Sequence, residues 1–321
     1  MYFLGIDIGG TNIASGIVDT NHHLLLRTSR KTRVPCSDDE MRDQLVAAVT
    51  ETLAKAGLSL QDIPYIGIGC PGTVNRATGV IEFSNNLHLN NFPLQKLVED
   101  KLGKKVVLEN DANAAAYGEY MVGALQNTEI GIAITLGTGI GSGIIIDGKI
   151  FSGSNFAGGE MGHMVIVGRG RQCTCGRRGC WETYASASGL IRSTREAMEK
   201  DTSSKLWKVA GNLDNVDGRT AFRAMREDDE TAKGVVDDYI FYLACGLANC
   251  INIFQPDILC IGGGISNEGD ALMIPLGRLI RHEVYSINSS KQTVVCRAKL
   301  GNDAGILGAA LLNESKGGNH K

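Results

Sequence analysis

Two stretches of this chain repeat one pattern, and that pattern restricts the folds open to it. Residues 2–18 run apolar strand, Gly9-Gly10 turn, apolar strand; residues 130–147 do the same around Gly137-Thr138-Gly139. With a shift of 128 positions, Asp7 faces Thr135, Gly9 faces Gly137, Ile17 faces Ile145 and Asp19 faces Asp147. Short apolar runs broken by small residues read as buried strands joined by tight turns. The repeat predicts an internal duplication: two related α/β halves whose glycine turns face each other across a cleft, a common setting for small-molecule sites.

The other elements fit that plan. A third strand is expected over 24–30. Ser37 to Glu40 is a capping-box pattern, Met41, Leu45, Val49 and Leu53 follow at helical spacing, and Gly57 stands where a terminating glycine belongs. Strands are expected over 63–69, 105–109, 257–261 and 293–297. Helices are expected through most of 185–253, near 270–283 and from Asn302 to Leu312, the last rich in small residues and so tightly packed. The polar tail after Ser315 is expected to be mobile.

Composition excludes several classes. A net charge of −3 argues against broad nucleic-acid binding. No run approaches the ~18 apolar residues of a membrane span, and MYFLGIDIGG lacks the basic and apolar regions of a signal peptide. The chain reads as cytoplasmic. Nine cysteines, an odd number, argue against a disulfide framework. Cys70, Cys245 and Cys260 lie in apolar segments and read as buried thiols.

Several motifs carry chemistry. Asp7-Ile-Gly9-Gly10-Thr11-Asn12 offers backbone N–H groups and two polar side chains to phosphate oxygens, with Asp7 suited to a Mg²⁺ ion; an ordinary hairpin turn is the alternative. Gly137-Thr138-Gly139-Ile140-Gly141 is a second such turn. Gly262-Gly263-Gly264 follows a strand and leaves room for a base or ribose, or merely enters a helix. Gly67 to Gly72 matches a dinucleotide fingerprint but continues as turn and strand rather than helix. Gly143 to Lys149 nearly matches a nucleoside-triphosphate loop, yet its isoleucines belong in a strand and Asp147-Gly148 in a hairpin turn. Glu109-Asn110-Asp111-Ala112-Asn113 joins a strand to a helix. Asp111 is either a helix cap or a carboxylate placed to take a proton from a hydroxyl nucleophile.

The most specific cluster is His163 followed by Cys173, Cys175 and Cys180. One imidazole and three thiolates make a complete tetrahedral zinc set of the closed, structural kind. Unliganded thiols or a redox pair are the alternatives. Zinc here would rigidify a loop with Glu160 on one side and Glu182 on the other.

Together these motifs resemble the ROK family (repressors, open reading frames and kinases), and within it the bacterial glucokinases. The resemblance spans essentially the whole chain. It rests on Asp7 to Thr11, Gly69 to Gly72, Asn86-Leu87, Glu109 to Asn113, Leu136 to Gly139, Ala157 to His163, Cys173 to Glu182 and Ile261 to Gly264. It implies an actin-like ATPase, ribonuclease-H-like duplicated α/β fold with two domains around a nucleotide cleft. The domains would be residues 1–112, joined by a C-terminal helix near 302–315, and residues 113–301 with the zinc loop. It implies Asp111 as catalytic base, and a hexose held by Asn86, Asn110, Asp111, Glu160, His163 and Glu182. ATP and Mg²⁺ would meet Asp7, Gly9, Gly10, Thr11, Asn12, Gly137, Thr138, Gly139, Gly141, Gly263 and Gly264. Zinc would sit on His163, Cys173, Cys175 and Cys180. One departure is Asn12, where these kinases often carry lysine. The expected activity is ATP-dependent phosphorylation of a hexose, most simply glucose to glucose 6-phosphate, by a homodimer. The alternatives are fructose, mannose, allose, N-acetylglucosamine or N-acetylmannosamine as acceptor, or a sugar-sensing regulator of the same family.

Overall fold

The structure, a computed structural model, describes residues 1–313. The expectations for the tail after Ser315, and for the end of a helix running to 315, lie outside the described residues. In chain order the elements are β1 (Phe3–Ile8), β2 (Asn12–Val18), β3 (Leu24–Lys31), α1 (Asp38–Ala56), β4 (Ile66–Cys70), β5 (Thr73–Asn75), β6 (Val80–Ser84), β7 (Leu89–Phe92), α2 (Leu94–Leu102), β8 (Val106–Asn110) and α3 (Asp111–Val122). There follow β9 (Ile130–Leu136), β10 (Ile140–Ile146), β11 (Lys149–Ile150), α4 (Glu182–Ala185), α5 (Ala187–Lys200), α6 (Leu206–Ala210), α7 (Thr220–Met225), α8 (Glu230–Phe254), β12 (Ile258–Gly262), α9 (Asp270–Glu283), β13 (Val294–Arg297) and α10 (Ala304–Leu311).

The duplication read from the glycine turns is present in the strand order. One sheet runs β3-β2-β1-β4-β8, the other β11-β10-β9-β12-β13. In each, the five strands lie in the order third, second, first, fourth, fifth. β1, β4 and β8 are parallel neighbours, so their C-terminal ends, at Asp7, Cys70 and Asn110, lie at one edge of the first sheet. Ligands of open α/β sheets gather at such ends. A small meander, β5-β6-β7, completes the set of sheets.

By compactness the chain divides into two units: residues 1–133, 143–159 and from 298 onward, and residues 134–142 with 160–297. The division falls later than the expected boundary at 112, and α3 lies within the first unit. The reason is packing. α10 lies across both α3 and the first sheet with its backbone in direct contact with theirs. A Cβ built on Gly67 of β4 would lie 1.8 Å from the Ala309 carbonyl oxygen, and one built on Gly308 would lie 1.6 Å from that of Ala114. Every residue of α10 is buried. Its small-residue composition is what permits this approach.

Local signals hold where they were strongest. Glu40 N–H donates to Ser37 Oγ at 3.3 Å and Ser37 N–H to Glu40 Oε2 at 2.8 Å, completing the capping box of α1, and Gly57 ends that helix at φ 67°. Asp147 and Gly148, at φ 49° and 75°, turn β10 into β11, which removes the triphosphate-loop match. α8 is long and apolar enough to cross a membrane by length and composition, although no such run was expected. Of its apolar stretch 61% is buried in the structure, the state of a core helix.

The α10 contact predicts that a single methyl group is costly. Gly67→Ala or Gly308→Ala should lower unfolding stability by about 2–3 kcal/mol or more, as overpacking does. Urea denaturation of the purified variants measures it, with Gly234→Ala, at an exposed helical position where a Cβ meets nothing within 4 Å, as the comparison.

Candidate active site

In the first unit the predicted residues gather at the ends of β1, β4 and β8. Asn110, not Asp111, is the N-cap of α3: its Oδ1 accepts from Asn113 N–H at 3.1 Å and its Nδ2 donates to Gly72 O at 3.0 Å. Asp111 is therefore the first helical residue, half-buried, with Oδ1 accepting from Ala112 N–H at 2.9 Å. The helix N-terminus favours its negative charge. Asp7 and Asp111 both lie near Cys70, a fully buried thiol pushed well up by burial and then by those two carboxylates. Asp7 itself sits in a recess where burial raises its carboxyl to about 6, opposed by the charge of Arg27.

The turn after β1 is held from behind. Gly9 N–H donates to Asn12 O at 2.8 Å, Thr32 N–H to Thr11 O at 2.9 Å, and the Thr32 hydroxyl to Gly9 O at 2.7 Å. Gly10, Thr11 and Asn12 are exposed. Asn86, in the turn between β6 and β7, comes close to this turn, since a Cβ on Gly10 would stand 3.5 Å from its carbonyl oxygen.

Sequence reasoning missed two supports here. Thr32 is one. The other is Arg76, whose guanidinium lies 2.9 Å from Glu109 Oε2. Glu109 is 1% exposed, and its Oε1 accepts from Asn110 N–H at 2.9 Å and Asn113 Nδ2 at 3.0 Å. Burial raises the Glu109 carboxyl, and Arg76 counters this. Neither residue carries a local signal, because both act only through tertiary contacts.

In the second unit His163, Cys173, Cys175 and Cys180 converge, their ligand atoms all within 4.8 Å of one another. Cys173 Sγ lies 3.6 Å from His163 Nδ1 and Cys175 Sγ 3.7 Å from Cys180 Sγ. A tetrahedron with zinc–sulfur arms of about 2.3 Å has edges of about 3.8 Å, so the set fits such an ion. Desolvation, then the neighbouring thiols, pushes Cys180 up to about 12, a crowding that a bound cation would relieve. With Nδ1 facing the thiols, His163 has Nε2 for another partner. Glu160 lies within electrostatic reach of both His163 and Glu182. Its carboxyl is raised first by the protein atoms around it, with His163 opposing and Glu182 reinforcing the shift.

The second glycine turn is shorter than expected. β10 begins at Ile140, so Gly141 lies in a strand and the turn proper is 137–139. Gly263 has φ 87°, and a Cβ there would meet the Leu136 carbonyl oxygen at 2.3 Å. Close packing against β9 thus accounts for that glycine, whereas Gly264 faces open space.

The sequence matches the ROK family over residues 3–316. A glucokinase of Thermotoga maritima is 37% identical over 98% of each chain, and one of Streptomyces coelicolor 36% over 96% of each. The crystal structure of a ROK family glucokinase from Streptomyces griseus, in complex with glucose and AMPPNP, superimposes with a TM-score of 0.84 at 35% identity, over 97% of this chain and 99% of that one. The duplicated α/β architecture is that of the actin-like ATPases. With its sequence matched almost end to end and its strand order repeated in both sheets, the chain belongs to the ROK family.

Proposed function

We propose that this chain is an ATP-dependent glucokinase, transferring the γ-phosphate of ATP to the 6-hydroxyl of glucose, with Asp111 as general base. The relatives support the reaction. The observation that carries the base is Asn110: it supplies the cap of α3, so Asp111 is not the capping side chain and, like Asp7, lies near Cys70 at the strand ends. A sugar hydroxyl is a poor nucleophile, and a carboxylate accepting its proton strengthens it as it attacks phosphorus in line. Glu109, fixed by Arg76, holds the backbone from which Asp111 projects.

In this reading Asn86, Asn110, Asp111, Glu160, His163 and Glu182 bind glucose. The turns at 9–12 and 137–141, with Gly263 and Gly264, meet the nucleotide. Asp7 is the residue to hold Mg²⁺, which when bound offsets phosphate charge. Zinc on His163, Cys173, Cys175 and Cys180 fixes the loop that carries the second-unit sugar ligands. His163 then serves zinc through Nδ1 and sugar through Nε2. A homodimer in the cytoplasm is the proposed state; Phe241 and Ile253, exposed on α8, offer apolar surface for association.

Three outcomes follow. Asp111→Asn should lower kcat by about 10²–10⁴-fold, the usual contribution of a positioned base; near-normal turnover in a coupled assay would reject the assignment. Elemental analysis should find one zinc per chain. Cys173→Ser should lose the metal and weaken glucose binding, whereas Cys36→Ser, in the first unit, should do neither. Asp7 gives a pH test. Its carboxyl holds its proton to about pH 6 when folded, against 3.8 ordinarily. Its share of stability is therefore full below 3.8 and lost as pH rises through about 6. In EDTA, denaturation midpoints against pH should show that fall in the wild type and lack it in Asp7→Asn.

A further inference from the structure

The segment that follows the Cys180 loop grips the second glycine turn at both ends. Ala187 N–H donates to Gly137 O at 2.9 Å, and Ile140 N–H donates to Glu182 Oε2 at 2.8 Å. Gly139 is the residue under the carboxylate: a Cβ there would lie 2.1 Å from Glu182 Oε2. The gripping segment is itself anchored by burial and hydrogen bonds. Trp181 is fully buried, its indole N–H donates to Tyr242 O at 2.9 Å, and its backbone N–H donates to Met164 O at 2.8 Å. The Thr183 hydroxyl donates to Cys180 O at 2.7 Å. Glu182 thus projects from a backbone fixed on both sides.

A carboxylate accepting a backbone N–H makes a charge-assisted bond, stronger and shorter than a neutral one. Here it orients the peptide planes of a three-residue turn that has few bonds of its own, Gly137 N–H to Gly139 O at 3.0 Å being one. It also engages the Ile140 N–H, which leaves Thr138 and Gly139 as the turn's donors toward phosphate. With Oε2 on the turn, Oε1 is the atom Glu182 can offer to a sugar.

We propose that Glu182 is a positioning residue for the nucleotide turn, so that one side chain couples the affinity for nucleotide to the affinity for sugar. The inference rests on reading residues 137–141 as a phosphate turn and deepens that reading. Coupling of this kind is reciprocal: a change in the turn must be felt at the sugar, and a change in Glu182 at the nucleotide.

The test separates the two ligands. Calorimetry gives the Kd of Mg-AMPPNP without sugar and of glucose without nucleotide, for wild type, Glu182→Ala, Glu182→Gln and Gly139→Ala. Zinc content and circular dichroism of each confirm an intact loop. Glu182→Ala should weaken nucleotide binding about tenfold or more, the size of one hydrogen bond to a charged group. Glu182→Gln, whose amide oxygen can accept the same N–H, should restore most of that loss. Gly139→Ala, whose methyl group displaces the carboxylate, should weaken glucose binding although it changes the turn alone. The inference is overturned if Glu182→Ala raises the glucose Kd and leaves the nucleotide Kd unchanged, if Gln behaves as Ala does, or if Gly139→Ala leaves glucose binding intact. A wild type that binds neither ligand would instead sink the kinase reading.

Discussion

Backbone-to-backbone contact between α10 and its neighbours is the constraint on which the first unit depends. Helices usually stand off a sheet by the length of their side chains, roughly 10 Å between axes or layers. Here Gly67 in the sheet and Gly308 in α10 remove that spacing. The consequence reaches the site. α10 fixes α3, and α3 begins with Asp111. α10 also passes the end of β1, where a Cβ on Gly305 would stand 2.6 Å from Asp7 Oδ2. Asp7 and Asp111 are therefore both positioned against one helix that comes from the far end of the chain. Glu119 secures the entry to that helix, accepting from the N–H groups of Lys299 and Leu300 at 3.1 and 2.8 Å.

The second unit reaches the same rigidity by other means. Its chemistry-bearing residues lie on a long irregular stretch between β11 and α4, where regular hydrogen bonding is sparse. Such a stretch needs an anchor, and two are present. One is the four-ligand set, whose spacings suit a tetrahedral ion. The other is Trp181, inserted where Gly246 of α8 makes room, with a Cβ there only 2.1 Å from the indole. Between these anchors and the glycine turn stands Glu182. The four-ligand set, the aromatic anchor and the carboxylate form a continuous mechanical chain within one unit.

Much of this was legible in the residues, for reasons that differ from part to part. The capping box at Ser37, the turn at Asp147-Gly148 and the Cys-rich loop are local patterns, and local patterns survive into the structure because short-range geometry decides them. The repeated strand order was legible because both copies keep the apolar–turn–apolar rhythm. The role of Asp111 could not be read from its neighbours in sequence, since a carboxylate after a strand fits a cap as well as a base; in the structure Asn110 takes the cap. Arg76, Thr32 and the turn-holding contact of Glu182 could not be read at all. Each pairs residues that are dozens of positions or a whole sheet edge apart, such as Glu182 with Ile140, and no periodicity encodes that. The small residues of α10 were legible as a tightly packed helix, but the partners its backbone touches, Gly67 of β4 and Ala114 of α3, were not, because they lie far away in the chain.

The two copies of the duplication solve one electrostatic problem differently. A glycine turn that meets phosphate needs its N–H groups exposed and its backbone rigid, and it needs a carboxylate nearby only if a cation is to be shared. In the first copy the carboxylate is Asp7, built into the strand, and neutral Thr32 supplies the rigidity. At the equivalent place in the second copy stands Thr135, which carries no charge. There the carboxylate arrives from outside the repeat, as Glu182, and is itself the rigid element, bonded to Ile140 N–H. Desolvation raises the carboxyl of half-buried Asp7 to about 6, with the charge of Arg27 opposing, and in the proposed reading Asp7 is the group that holds the cation. Glu182 has a backbone N–H in place of a metal. Under the proposed function the divergence divides labour between the copies: one turn would serve cation-assisted phosphate binding, and the other is tied through Glu182 to the segment that follows the Cys180 loop.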